Sequence, residues 1–187
     1  MNQSGIAVLE DPHPCAHIVY PYTSEELITE AVGIFALAGL RKDESVIIVS
    51  TNGHLARFEW YLRDAGIDVA RVKYEGRLAI IDAWQMLGQI SIDGMPDTVR
   101  FNDVLSPLVA MAKSESPSGR VRVFGEMVNL LWKNNPAAAL YLEDLWNEAI
   151  RIHSVALLCT YALDGDSVSS RADLDAVCAA HSHTLPC

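Results

Sequence analysis

Short apolar runs separated by segments of helical periodicity constrain this fold more than any other feature of the sequence. Val46-Ile47-Ile48-Val49 and Leu78-Ala79-Ile80-Ile81 carry no polar residue at alternate positions. A strand reads this way when both of its faces are buried, as in a parallel sheet covered by helices on either side. His17-Ile18-Val19-Tyr20, residues 120–124 and residues 154–161 supply further strand candidates. Residues 69–74 alternate apolar and polar side chains and are also read as a strand.

Between these runs the period changes. Leu27, Ile28, Ala31, Ile34, Phe35 and Ala38 recur at helical spacing behind Ser24, a good N-cap, with Glu25 and Glu26 in the first turn. Residues 54–65 carry Leu55, Phe58, Tyr61 and Leu62 on one face and stop at Gly66. Asp82 can cap a helix over residues 83–90, and Val104, Leu105, Leu108, Val109 and Met111 mark the next one. Residues 127–132 read as a short helix, Pro136 opens a longer one, and Leu174, Val177, Cys178 and His181 lie on the last. Ser170 and Asp173 suit a capping box before it, after a turn at Asp164-Gly165-Asp166. Strands alternating with helices imply an α/β fold with a mainly parallel central sheet flanked by helices. Residues 1–16 show no period and read as a flexible leader, and residues 17–187 as one domain.

Composition narrows the function classes. Half of the 187 residues are hydrophobic and 20% are charged, which excludes a wholly disordered chain. The net charge of −10 opposes direct binding to phosphate backbones or anionic lipid. No run reaches the ~20 apolar residues of a membrane span, and residues 1–10 lack the basic start and apolar core of a secretory signal. Cys15, Cys159, Cys178 and Cys187 are few and widely spaced, the pattern of reduced thiols in a cytoplasmic protein.

Several segments, in order, resemble one family. They are Thr23-Ser24-Glu25-Glu26-Leu27, Gly39-Leu40-Arg41-Lys42-Asp43-Glu44, Gly76-Arg77-Leu78-Ala79-Ile80-Ile81-Asp82-Ala83, Arg122-Val123-Phe124-Gly125-Glu126-Met127-Val128, Leu142-Glu143-Asp144-Leu145-Trp146-Asn147 and Leu158-Cys159-Thr160-Tyr161. Together they resemble the MEDS domain, the methanogen/methylotroph sensory domain of the DcmR regulator. The resemblance implies a degenerate RecA- or KaiC-like core and a role in sensing small hydrocarbon derivatives during signal transduction. It implies a small-molecule ligand and a signalling protein as partner, either a histidine kinase or a transcription regulator. Homo-oligomerisation is compatible with it. The alternative is a protein-interaction adaptor in a two-component or sigma-factor pathway, with no small ligand.

The residues argue separately against ATP hydrolysis. A phosphate-binding loop needs glycines for close backbone approach and a Lys-Ser/Thr pair. After the first strand the chain reads Pro21-Tyr22-Thr23-Ser24-Glu25-Glu26, with neither glycine nor lysine and with acids where phosphates would lie. No Ser/His/Asp or metalloprotease pattern stands elsewhere, so no enzyme activity, catalytic residue or cofactor is assigned.

Ligands of open parallel sheets bind beyond the carboxyl ends of the strands. Glu126 follows such a strand, and Cys159 and Tyr161 share one face of the last one. His17 starts the first strand, with Tyr20 nearer its carboxyl end, and Arg122 can pair with a carboxylate. His17, Tyr20, Arg122, Glu126, Cys159 and Tyr161 are therefore the candidate ligand-binding residues, with His17, Glu126 and Tyr161 expected to meet in one pocket. Glu143, Trp146 and Asn147 fall on one helical side, Glu143 as an internal anchor and Trp146, like Trp132, as core. Cys178 and His181, with His183 and Cys187 beyond them, have spacing that can reach one zinc ion, but no second spaced pair completes a site. No metal is assigned.

Overall fold

The computed structural model describes residues 3–163 and 171–186. The turn read at Asp164-Gly165-Asp166, Ser170 of the capping box, and Cys187 lie outside what it describes. Six parallel strands form the central sheet in the order β3-β2-β6-β7-β1-β8. They are β1 (His17–Tyr22), β2 (Ser45–Ser50), β3 (Leu78–Asp82), β6 (Val121–Gly125), β7 (Ala156–Ala162) and the short edge strand β8 (His183–Thr184). A two-stranded hairpin, β4 (Ser91–Ile92) and β5 (Met95–Pro96), lies outside this sheet.

Connections running toward the β3 edge carry α2 (Glu25–Arg41), α3 (Asn52–Asp64) and α4 (Val69–Tyr74). Those running the other way carry α5 (Ala83–Ile90), α6 (Thr98–Ser114), α7 (Met127–Trp132), α8 (Pro136–His153) and α9 (Arg171–Ala179). The first set buries its apolar face with Ile18, Ile48, Phe124 and Leu158, the second with Val19, Ile47, Val123 and Leu157. One hand of crossover produces this division into two helical layers. The α/β reading of the sequence, with a parallel sheet between helices, is what the chain adopts.

Local chemistry sets the helices. Ser24 Oγ accepts from the Leu27 N–H at the start of α2, whose buried stripe runs through Ile28, Ala31, Val32, Phe35 and Leu40. At Gly66 the backbone turns to φ +88°, a conformation that suits glycine and ends the α3 excursion. Asn135 caps α8 through the Ala138 N–H, with Pro136 in the first turn.

Two readings differ from the structure. Val69–Tyr74 is helix α4, not a strand: Asp68 caps it through the Arg71 N–H, and the buried residues are Val69 and Val72, three apart. Three-residue spacing in so short a segment mimics alternation. Residues 1–16, read as a flexible leader without a period, contain the helix α1 (Gln3–Glu10), which packs on α2 with Leu9 fully buried. Arg122 reaches across to accept this helix: its guanidinium donates to the carbonyls of Leu9, Glu10 and Phe35 and pairs with Glu44. Among the described residues no helix is long and apolar enough to cross a membrane.

Candidate functional site

The chain leaves adjacent strands β2 and β6 in opposite directions, to α3 on one layer and α7 on the other. Their carboxyl ends therefore open a crevice, where open α/β sheets place their ligands. Glu126, directly after β6, stands in it. Its carboxylate accepts from the Ser50 hydroxyl and from the Thr51 N–H at 2.9 Å, with the Thr51 hydroxyl at 3.3 Å. His54, in the first turn of α3, lies between two carboxylates. Nδ1 is 2.8 Å from Glu126 Oε1, and Nε2 is 2.8 Å from Glu25 Oε2 at the start of α2.

Both ring nitrogens face acceptors, so the arrangement favours the doubly protonated imidazolium. The hydrogen bond to Glu126 pulls the His54 pKa above the usual imidazole range. Burial opposes this, while the charges of Glu126 and Glu25 add to it. Burial pushes the Glu126 carboxyl upward, but the bonds from His54, Ser50 and Thr51 outweigh it and hold the group below its usual range. Glu126 is buried, whereas the Glu25 side chain is half exposed and its pairing is screened.

This triad borders a cleft of ≈ 390 Å³ that extends along the edge to the ends of β1 and β7. Tyr22, Trp84, Leu130 and Ala162 give it apolar wall, and Asn129, Lys133 and Asn134 give it polar contacts. Asn129 Oδ1 is fixed by the Ala162 N–H at 3.0 Å. A small molecule with an apolar body and a polar head suits such a lining.

A second polar cluster lies inside the molecule, between the sheet and α8. Glu143 falls on the buried stripe of α8, between Ala139 and Trp146, so the helix points this acid inward. Tyr161 donates to Glu143 Oε1 at 2.5 Å, His17 Nε2 lies 3.2 Å from Oε2, and Cys159 Sγ lies 3.7 Å from Oε2. His181, just past α9, brings Nε2 to 3.4 Å from Oε1, close enough for an ion pair but without the alignment of a hydrogen bond. Burial raises the Glu143 pKa, but the two histidines overcome it and hold the carboxyl at about 2. Burial, and then the Glu143 charge, push the Cys159 thiol and the Tyr161 phenol well above their usual ranges.

The candidate residues thus separate. His17, Cys159 and Tyr161 meet around Glu143, facing the α8 layer, while Glu126 belongs to the His54 triad at the sheet edge. The expectation that His17, Glu126 and Tyr161 converge on one pocket is corrected: alternation turns His17 and Tyr161 into the interior, whereas Glu126 lies beyond its strand. Tyr20 points to the opposite layer, in the core with Ile28 and Phe35. Arg122 is buried near the amino end of β6, engaged with Glu44 and three carbonyls, and does not line the cleft.

Sequence reasoning passed over His54, Ser50, Thr51 and Glu25 as site residues. His54 follows a buried strand and a turn, the same placement that singled out Glu126, so the signal was present. Trp132 and Trp146 are core, as read, and Cys15, Cys159 and Cys178 carry free thiols.

No curated protein matches the chain. The family model for the MEDS domain, described as the "MEthanogen/methylotroph, DcmR Sensory domain", matches residues 16–182. That span takes in every strand of the central sheet except β8, together with both polar clusters. The chain belongs to the MEDS family of sensory domains.

Proposed function

We propose that this sensory domain binds a small organic molecule, a short hydrocarbon derivative with one polar group, in the cleft beside His54 and Glu126. It then passes a change of shape to a signalling protein. The observation that carries the reading is the placement of the Glu25–His54–Glu126 triad at the mouth of an apolar-walled cleft where the sheet connections diverge. Triad members come from α2, α3 and the end of β6, so a ligand that competes for His54 redistributes bonds among three elements. A sensor works through such differential affinity between states and needs no chemical turnover. The proposed kinship to RecA- or KaiC-like proteins fits the parallel sheet with its cleft at the carboxyl edge. Ser24, Glu25 and Glu26 occupy the helix start at which a nucleotide phosphate would sit, which supports binding rather than nucleotide hydrolysis.

Trp84 lines the cleft and is 59% exposed, so its emission reports on occupancy. The test is a fluorescence titration with a panel of short-chain alcohols, halides and amines. Trp60 and the other tryptophans are controlled for by a Trp84→Phe variant. A saturable change in the wild type, absent from Trp84→Phe and weakened in His54→Gln, supports the reading. A panel that produces no saturable change, or one indifferent to His54, overturns it.

A further inference from the structure

Around Glu143 the structure assembles a donor set that the cleft does not use. His17 Nε2, His181 Nε2, Cys159 Sγ and a Glu143 oxygen all lie within 4.8 Å of one another. They come from β1, the segment after α9, β7 and α8.

Both imidazoles are oriented through Nδ1, which turns Nε2 toward the cluster. Asn147 Nδ2 donates to the Ala180 carbonyl, which leaves its Oδ1 facing His17 Nδ1 at 2.9 Å. His17 Nδ1 is therefore the donor, and a neutral ring carries its lone pair on Nε2. His181 Nδ1 donates to the Val177 carbonyl at 2.7 Å, which likewise turns Nε2 toward Glu143, 3.4 Å from Oε1. That Nε2 is fully buried and makes no hydrogen bond. Metal-binding histidines are oriented through their second nitrogen in this way. Tyr161 occupies Oε1 of Glu143, so Oε2 is the oxygen left to ligate.

Among His17, Glu143 and Cys159 the separations fit a small cation, and His181 lies within 4.8 Å of all three. Zinc binds nitrogen and oxygen at about 2.0–2.2 Å and sulfur at about 2.3 Å, so tetrahedral donors stand roughly 3.3–3.7 Å apart. Here His17 Nε2 to Glu143 Oε2 is 3.2 Å, His17 Nε2 to Cys159 Sγ is 3.5 Å, and Cys159 Sγ to Glu143 Oε2 is 3.7 Å. These donor atoms are buried together around the Glu143 carboxylate, which calls for a nearby positive charge. Protons or one metal ion can supply it.

We propose that His17, Glu143, Cys159 and His181 form a binding site for one divalent transition metal of zinc type. The nitrogen, sulfur and oxygen donors suit zinc or cobalt and disfavour magnesium and calcium. Binding deprotonates Cys159, whose thiol proton leaves to solvent, and the thiolate and carboxylate together balance the dication. The ion ties the segment after α9 to β1 and β7, where β8 already pairs with β1. The site is separate from the His54 cleft, so the two proposals fail independently.

The test uses the full chain, stripped with a chelator under reducing conditions and titrated with cobalt(II). One cobalt per chain is expected, with intense visible bands of tetrahedral coordination and a thiolate charge-transfer band, both bleached by zinc. Cys159→Ser removes the charge-transfer band, and His181→Gln weakens binding at least about tenfold. Cys178→Ser changes neither. The proposal is overturned if the folded wild type shows no stoichiometric tetrahedral spectrum. It is overturned equally if the bands survive Cys159→Ser and His181→Gln, or vanish in Cys178→Ser.

Discussion

Replacing Glu126 by glutamine tests the electrostatics of the cleft with almost no change of volume. The carboxylate serves the Ser50 hydroxyl, the Thr51 N–H and His54 Nδ1 at once. An amide offers one acceptor and turns an N–H₂ group toward one of these donors. A hydrogen bond to a charged group contributes about 1.5–3 kcal/mol, and breaking a buried pair costs about 3–5 kcal/mol. His54 keeps its half-exposed partner Glu25 and can lose its proton, so the cost should fall at about 2–4 kcal/mol at about pH 6. The sign with pH follows from the shifts. The pKa of His54 is raised in the folded state, so its contribution is complete below the ordinary imidazole value of 6.5 and is lost as pH rises through the folded value. The Glu126 pKa is lowered, so its contribution is present above the ordinary 4.5 and is lost as pH falls through the folded value. The pair therefore stabilises most between those two ordinary values. Urea denaturation of wild type and Glu126→Gln, at about pH 6 and at about pH 9, reads the difference. The stability gap should shrink by about 1–2 kcal/mol at the higher pH, and His54→Gln should abolish this pH dependence. A gap that stays constant, or grows with pH, refutes an imidazolium between the two carboxylates.

Further outcomes follow from the packing and from the chemistry of the α2 helix start. Gly39→Ala should destabilise by about 1–3 kcal/mol despite alanine's better helix propensity, because its Cβ would lie 2.8 Å from the Arg122 side chain, which Glu44 and three carbonyls hold in place. Gly88→Ala, where a Cβ meets nothing within 4 Å, should instead stabilise α5 by about 0.5–1 kcal/mol; chemical denaturation measures both, and equal signs would contradict the packing argument. Purified protein should release no phosphate from ATP above a mock preparation, and hydrolysis abolished by changes at Ser24 or Glu25 would show that the acidic helix start does not exclude nucleotide chemistry.

The fold was legible where burial writes itself into the sequence. Val46–Val49 announces a strand buried on both faces, Leu78–Ile81 the half-buried edge strand, and Ser24 and Pro136 mark helix starts that the structure keeps. Residues 69–74 were misread because valines at 69 and 72 serve a single helical turn as well as a pleat. The clusters were legible only as parts. Strand alternation put Cys159 and Tyr161 on one face, but their partner Glu143 depends on how α8 is rotated over the sheet. Glu126 was found by its place after a strand, yet its pairing with His54 depends on β2 and β6 being neighbours, which follows from strand order rather than local pattern. Arg122 carried the ambiguity of any inward-facing charge: its partners Glu44 and the end of α1 lie far off in sequence.

The central claim is that a small organic molecule is sensed at the sheet edge beside His54 and Glu126. Amide hydrogen exchange, with and without a saturating concentration of the probe that perturbs Trp84, tests it most directly. The account predicts slower exchange confined to the segments that meet at the cleft, residues 23–27, 51–55 and 126–131, and loss of that protection in Glu126→Gln. Unchanged exchange in all three segments, or protection found only around His17, Cys159 and His181, would contradict it.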